Sequence, residues 1–378
     1  MFGGPLYRMG CQSGIVPGAS NTILLGVALA LLAWGVLMAL AFLDGFGSSI
    51  SSLTVTAVHV RLMVAIPLFF MCETWIFPLM AAFPRYLVSS DLVPETAMST
   101  LVGDTLRIVR MSDSWLAELI FLLLAFAAPL VETVANIPSR TGSWVLVLHS
   151  AGGAVTWAHV WYLGVCLPLF RFLLFRWIWR LGLWSYFLWR VSQLGLQLIP
   201  IHSDSVGGLG YLDFVHQQFA PLAAALSAVL AADCAEDIAS RLMSFETLYT
   251  VIPVIILVTA ALFIGPLCVF SPVLWECRIK GANEYMAMAS RYVAAFDRKW
   301  VRDKNASGES QLGTKDLRSL ADLTHSVNVA RGMLIIPATP KLLTILAASV
   351  ILPQLPLLLF KFPLAFVAAR LLKSILGF

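Results

Sequence analysis

Charge is what this sequence has least of. Asp, Glu, Lys and Arg make up 12% of its 378 residues, against 59% apolar. Soluble domains carry about a quarter charged residues, so an ordinary cytosolic enzyme is excluded. A disordered chain is excluded by the same apolar excess. Cysteine pairing is missing too: Cys11, Cys72, Cys166, Cys234, Cys268 and Cys277 form no Cys-x-x-Cys pair, which argues against a zinc ribbon or a redox dithiol. The chain has no Gly-x-x-x-x-Gly-Lys-Ser/Thr, no His-Glu-x-x-His and no Gly-x-Ser-x-Gly. The phosphate-loop, zincin and hydrolase-elbow readings therefore lack their first requirement. No metal site and no cofactor is expected, and the balance lies against an enzyme.

What is present is a series of long apolar runs, with a mean hydropathy of +0.85. Runs near 20 residues read as membrane spans. They fall at Thr22–Leu43, Thr54–Phe77, Trp115–Val131, Leu146–Phe170, Phe214–Ala232, Leu248–Phe270 and Leu342–Phe360. The first run is too long for a secretory signal core and is expected to remain as a span. The fold class is therefore all-α, a polytopic transmembrane bundle of about seven spans. Residues 1–275 hold six spans with cytoplasmic loops at 84–114 and 171–213. Residues 276–341 read as a cytoplasmic helical hairpin, in which Tyr285, Met288, Tyr292 and Phe296 recur at helical spacing. Residues 342–378 form a last span, or a re-entrant segment broken at Pro353 and Pro356, and an interfacial tail.

Basic residues set the orientation. With the N-terminus and even-numbered loops on one side, nineteen Lys and Arg fall there and six on the other, which places the N-terminus in the cytoplasm. Trp157, Trp161, Trp177, Trp179, Trp184 and Trp189 crowd one region with Arg171, Arg176, Arg180 and Arg190. This reads as an interfacial belt, with Arg171, Arg176 and Arg180 meeting anionic lipid headgroups. A nucleic-acid partner is not expected; the bilayer and further copies of the chain are.

Charges inside spans are expensive and usually face a bundle interior or an aqueous cavity. Arg61 and Glu73 lie twelve residues apart on the second span, about 18 Å along a helix, and so cannot pair with each other. With His59 they are the candidates for lining a pathway; the alternative is that both reach the interfaces. His149 and His159 are too far apart for a helical metal pair and read as contacts between helices. Asp233, Glu236, Asp237 and Glu246 read as an acidic outer loop, either a cation-attracting mouth or simply solvated.

The loop His202-Ser203-Asp204-Ser205-Val206-Gly207-Gly208-Leu209-Gly210 is the candidate binding element. Gly207, Gly208 and Gly210 free the backbone for close approach, and successive N–H groups can hold an anion. His202 and Asp204 could move a proton or bind a ligand. The plainer reading is a turn capped by Asp204.

This loop, followed by Tyr211-Leu212 and preceded by the Trp/Arg-rich segment from Arg171, resembles a family of uncharacterised bacterial multi-pass membrane proteins. That family carries a His-Pro-Asp-x-x-Gly-Gly-Leu-Gly-Phe-Leu loop; here Ser203 stands at the proline position. Arg61 to Pro67 with Glu73, Phe296 to Trp300, and Ser319-Leu320-Ala321-Asp322-Leu323 are similar as well. The resemblance implies a multi-pass inner-membrane protein and marks Ser319 and Asp322 as a cytoplasmic motif, but implies no activity. Three functions stay open: an oligomeric channel or small-solute transporter, a scaffold or sensor docking a partner through residues 276–341, and a membrane enzyme using His202 and Asp204.

Overall fold

The computed structural model describes residues 22–44, 56–134, 156–302 and 315–360. Among the described residues there are ten helices and no strand, the outcome for apolar segments that must satisfy every backbone group internally. They are α1 (Thr22–Leu43), α2 (Thr56–Ser89), α3 (Met98–Ser112), α4 (Trp115–Val134), α5 (Trp157–Ser192), α6 (Gly210–Ala239), α7 (Leu248–Phe263), α8 (Ser271–Phe296), α9 (Lys315–Gly332) and α10 (Pro340–Ile351). Helices α1, α2, α5, α6, α7 and α10 with its continuation are long and apolar enough to cross a bilayer. The expected span from Trp115 is also helical, with a shorter apolar stretch to Ala127. The chain is thus an all-α, polytopic helical membrane protein.

Small residues let α1 sit close to α2. Gly26, Ala30, Ala33, Leu37 and Ala41 form its buried stripe, and a Cβ at Gly26 would lie 2.6 Å from Phe70 Cβ. Packing of this kind replaces the hydrophobic drive that lipid does not supply.

Helices α2 and α5 run 34 and 36 residues, about 50 Å each at helical rise. Both exceed an apolar thickness of about 30 Å, so each projects beyond the bilayer. The sequence reading ended these spans at Phe77 and Phe170; the helices continue because no breaker follows that a helix cannot absorb. Pro78 and Pro84 lie inside α2. Each long helix also contains a π-helical segment near its start, Val60–Ala65 in α2 and Tyr162–Cys166 in α5. Helix α6 is built in two parts, Gly210–Gln217 and Ala220–Ala239. It begins before Phe214 and carries Asp233, Glu236 and Asp237 within it, so these acids are helical and not part of a loop.

The expected break at Pro353 and Pro356 takes a milder form: α10 tightens into a 3₁₀ segment, Leu352–Phe360, and does not reverse. The expected start of the fourth span at Leu146, His149, the polar turn at 303–313 and the tail from Phe362 lie outside the described residues.

Candidate functional site

Arg61 stands in the π-helical segment of α2, buried at 8% exposure. Its Nη1 donates to Tyr162 Oη at 2.9 Å and its Nη2 to Asp233 Oδ1 at 2.5 Å. Tyr162 opens the π-helical segment of α5, so the two irregular turns meet through this contact. Such bulges widen a helix locally and recur at functional sites. Next along α6, Glu236 accepts the backbone N–H of Ala57 through Oε1 at 2.7 Å, tying down the first turn of α2.

A cavity of about 540 Å³ opens beside this cluster, between α5, α6 and α7. Arg61, Arg171, Asp233 and Thr259 supply its polar lining, and Leu226, Leu230 and Val258 stand among its apolar walls. It therefore combines guanidinium groups, which suit carboxylate-like oxyanions, with an apolar surface for a carbon skeleton.

The other two residues expected on this pathway lie elsewhere. His59 Nδ1 accepts from Trp34 Nε1 at 2.8 Å, toward α1. Glu73 is buried against α5, with Oε1 at 3.1 Å from Arg180 Nη1 and 3.4 Å from Arg176 Nη2. Arg176 Nε lies 3.9 Å from Glu118 of α4. The Arg180 guanidinium also rests over the Phe77 ring at 4.3 Å, a favourable cation–π arrangement. Arg176 and Arg180 thus turn inward, away from the surface where headgroups would be met.

The glycine-rich loop is organised by Asp204. One of its oxygens accepts from Val206 N at 2.9 Å, the other from Gly210 N at 2.7 Å, and both receive Gly208 N at 3.1–3.2 Å. His202 Nδ1 lies 2.8 Å from Oδ1. The N–H groups that could have held an external anion are taken by the loop's own carboxylate. Gly207 and Gly208 adopt φ of 69° and 102°, and a Cβ on Gly208 would lie 2.7 Å from Leu92 Cδ2. The loop serves as a junction: Tyr86 Oη donates to Gly208 O at 2.7 Å, and Leu334 N donates to Ser205 O at 2.8 Å.

Ser319 and Asp322 are exposed on α9. The loop is met instead by Met333 and Leu334, beyond the end of that helix. Between α8 and α9 the organising acid is Asp316, which accepts from Lys299 Nζ at 2.9 Å and Trp300 Nε1 at 3.1 Å. These two bonds hold its carboxyl below the usual aspartate range. Burial pushes the Cys277 thiol up, which keeps it protonated and unreactive.

Sequence reasoning missed Tyr162 and Asp233 as the partners of Arg61, and Arg176 and Arg180 as those of Glu73. One usable signal was the i, i+4 spacing of Arg176 and Arg180, which puts two cations on one face of an apolar helix and calls for an acid opposite. Asp213 was also missed. It accepts Thr339 N at 2.8 Å and Thr339 Oγ1 at 3.0 Å, at the start of α10. Among the described residues no group of three or more His, Cys, Asp and Glu side chains is placed to hold a metal ion. No protein-family model, no curated protein and no solved structure matches the chain.

Proposed function

We propose that this membrane protein transports small organic anions, with the cavity beside Arg61 as the binding site. The observation that carries the reading is a buried arginine paired with a part-buried aspartate, both lining a cavity whose other walls are largely apolar. Asp233 occupies Arg61 as an internal carboxylate, standing where a substrate carboxylate would bind. An incoming anion displaces Asp233 from Arg61. The paired π-helical turns supply the local slack for that exchange.

Uptake of hexanesulfonate into proteoliposomes tests this, since the permanently charged probe crosses lipid slowly without help. Saturable uptake that Arg61→Gln abolishes, in a variant that still elutes as folded protein, is the expected result. Uptake no greater than in empty liposomes, or unchanged in the variant, overturns it.

The docking alternative has one observation in its favour: Ile279, Met288 and Val293 on α8 stay 44–48% exposed. It predicts no uptake of the probe and a defined partner lost when residues 276–341 are deleted. The catalytic reading of His202 and Asp204 gains no support, because Asp204 is committed to holding its own loop.

A further inference from the structure

A second hollow, of about 540 Å³, lies on the outside of the bundle where α3 passes into α4. Arg107 and Arg110 come from the last turns of α3, Ser114 from the connecting turn, Leu116 and Ile120 from α4, and Trp179 from α5. Helix α3 buries Leu101, Asp104 and Ile108 inward and leaves Val102 and Leu106 more than half exposed beside the exposed Arg107 and Arg110. A helix whose outer side mixes arginines with bare apolar residues belongs at a membrane–water boundary. The other arginine near this helix, Arg190, is already held by Asp104 at 2.9 Å.

Two observations point to what fills the hollow. Arg107 and Arg110 are both exposed and line the hollow together, while the Trp179 ring stands in its wall beside Phe121, with centroids 6.1 Å apart. Two guanidinium groups on one side of a helix repel each other, and an oxyanion seated between them offsets that repulsion. Below the hollow, Leu116, Ile120 and Leu123 stand exposed at 56%, 45% and 61%. Their i, i+4, i+7 spacing makes an apolar track running away from the arginines along α4.

We infer that this hollow binds the phosphate headgroup of an anionic phospholipid, with Arg107 and Arg110 on the phosphate and an acyl chain along Leu116, Ile120 and Leu123. A zwitterionic lipid brings its own cation toward two guanidinium groups and is disfavoured. The site is separate from the cavity at Arg61 and does not depend on the transport reading.

The test uses the full chain in nanodiscs containing phosphatidylcholine and phosphatidylglycerol, with lipids retained on release counted by native mass spectrometry. Phosphatidylglycerol is expected to be retained over phosphatidylcholine. Arg107→Gln and Arg110→Gln should each lower that retention about fivefold. Arg302→Gln, at a side chain 80% exposed elsewhere, should leave it unchanged and so separates site binding from general attraction. Equal retention of the two lipids overturns the inference, as does undiminished retention in the double arginine variant. Displacement of phosphatidylglycerol by inorganic phosphate alone also overturns it, by showing a phosphate site indifferent to the acyl chain.

Discussion

Two buried ionic clusters share helix α2 and are built from the same residue types, yet they differ in surroundings. At Glu73, two arginines and a second acid, Glu118, meet between packed helices, with side chains no more than 12% exposed and an aromatic ring under one guanidinium. None of these four side chains lines the cavity at Arg61 or the hollow at Arg107. At Arg61 the arginine meets Asp233 and a tyrosine hydroxyl, and a cavity opens alongside. The Arg61 cluster also sits on two π-helical turns, whereas Glu73, Arg176 and Arg180 sit on regular helix. A buried charge by itself therefore says little about function. Access and local helix irregularity are what distinguish the two clusters.

The largest effect should come from the closed cluster. Glu73→Leu leaves two guanidinium groups facing each other out of water and is expected to destabilise the fold by about 3–5 kcal/mol, read as a lowered midpoint of thermal unfolding in detergent. Adding Arg180→Met should restore part of the loss. Arg61→Gln should cost less, about 1–3 kcal/mol, because the Asp233 side chain it leaves behind is 19% exposed and borders the cavity. If Arg61→Gln proved the more damaging of the two, the distinction between the clusters would fail. Tyr162→Phe should cost about 1 kcal/mol and raise the KM for hexanesulfonate, while the Phe83→Leu core change should lower stability without touching KM.

The exposed cluster at Asp316 sets the lower bound of the comparison. Its carboxyl titrates below the usual aspartate range when folded. The stabilisation it gives is therefore present above the unfolded pKa and lost as pH falls through the lower folded value. Being at the surface, it should contribute little. Hydrogen exchange in α9 should quicken modestly in acid, and Asp316→Asn should abolish that pH dependence.

Much of the architecture is readable from composition. The helical class and the positions of α1, α2 and α7 follow from uninterrupted apolar runs. The ends of α2 and α5 do not, because a helix can leave the bilayer and continue through Arg, Trp and Ser without a local break. The expense of Arg61 and Glu73 is equally readable, but their partners lie 101 to 172 residues away in sequence. Hydropathy of a single chain carries no information about which spans are neighbours. In the loop, Gly207 and Gly208 announce positive φ, whereas Ser205, at φ 59°, does not, since the strain is borne by hydrogen bonds from outside its own residue. The capping role of Asp204 was one of the local readings, and the bonds to both of its oxygens become visible only in the folded loop. His216 gave no signal at all. Its Nδ1 lies 2.7 Å from Phe263 O, and its Nε2 accepts from Trp184 Nε1 at 3.1 Å. The carbonyl can only accept, which fixes the proton on Nδ1.

The bond from Thr339 to Asp213 also has a meaning in time. It joins residues 126 positions apart, so the acid that receives the first turn of α10 is made long before α10 itself. Helix α10 therefore docks on an acid supplied by a helix that precedes it in the chain, and truncation before Thr339 should take this partner from Asp213 and lower the thermal midpoint of the remaining bundle.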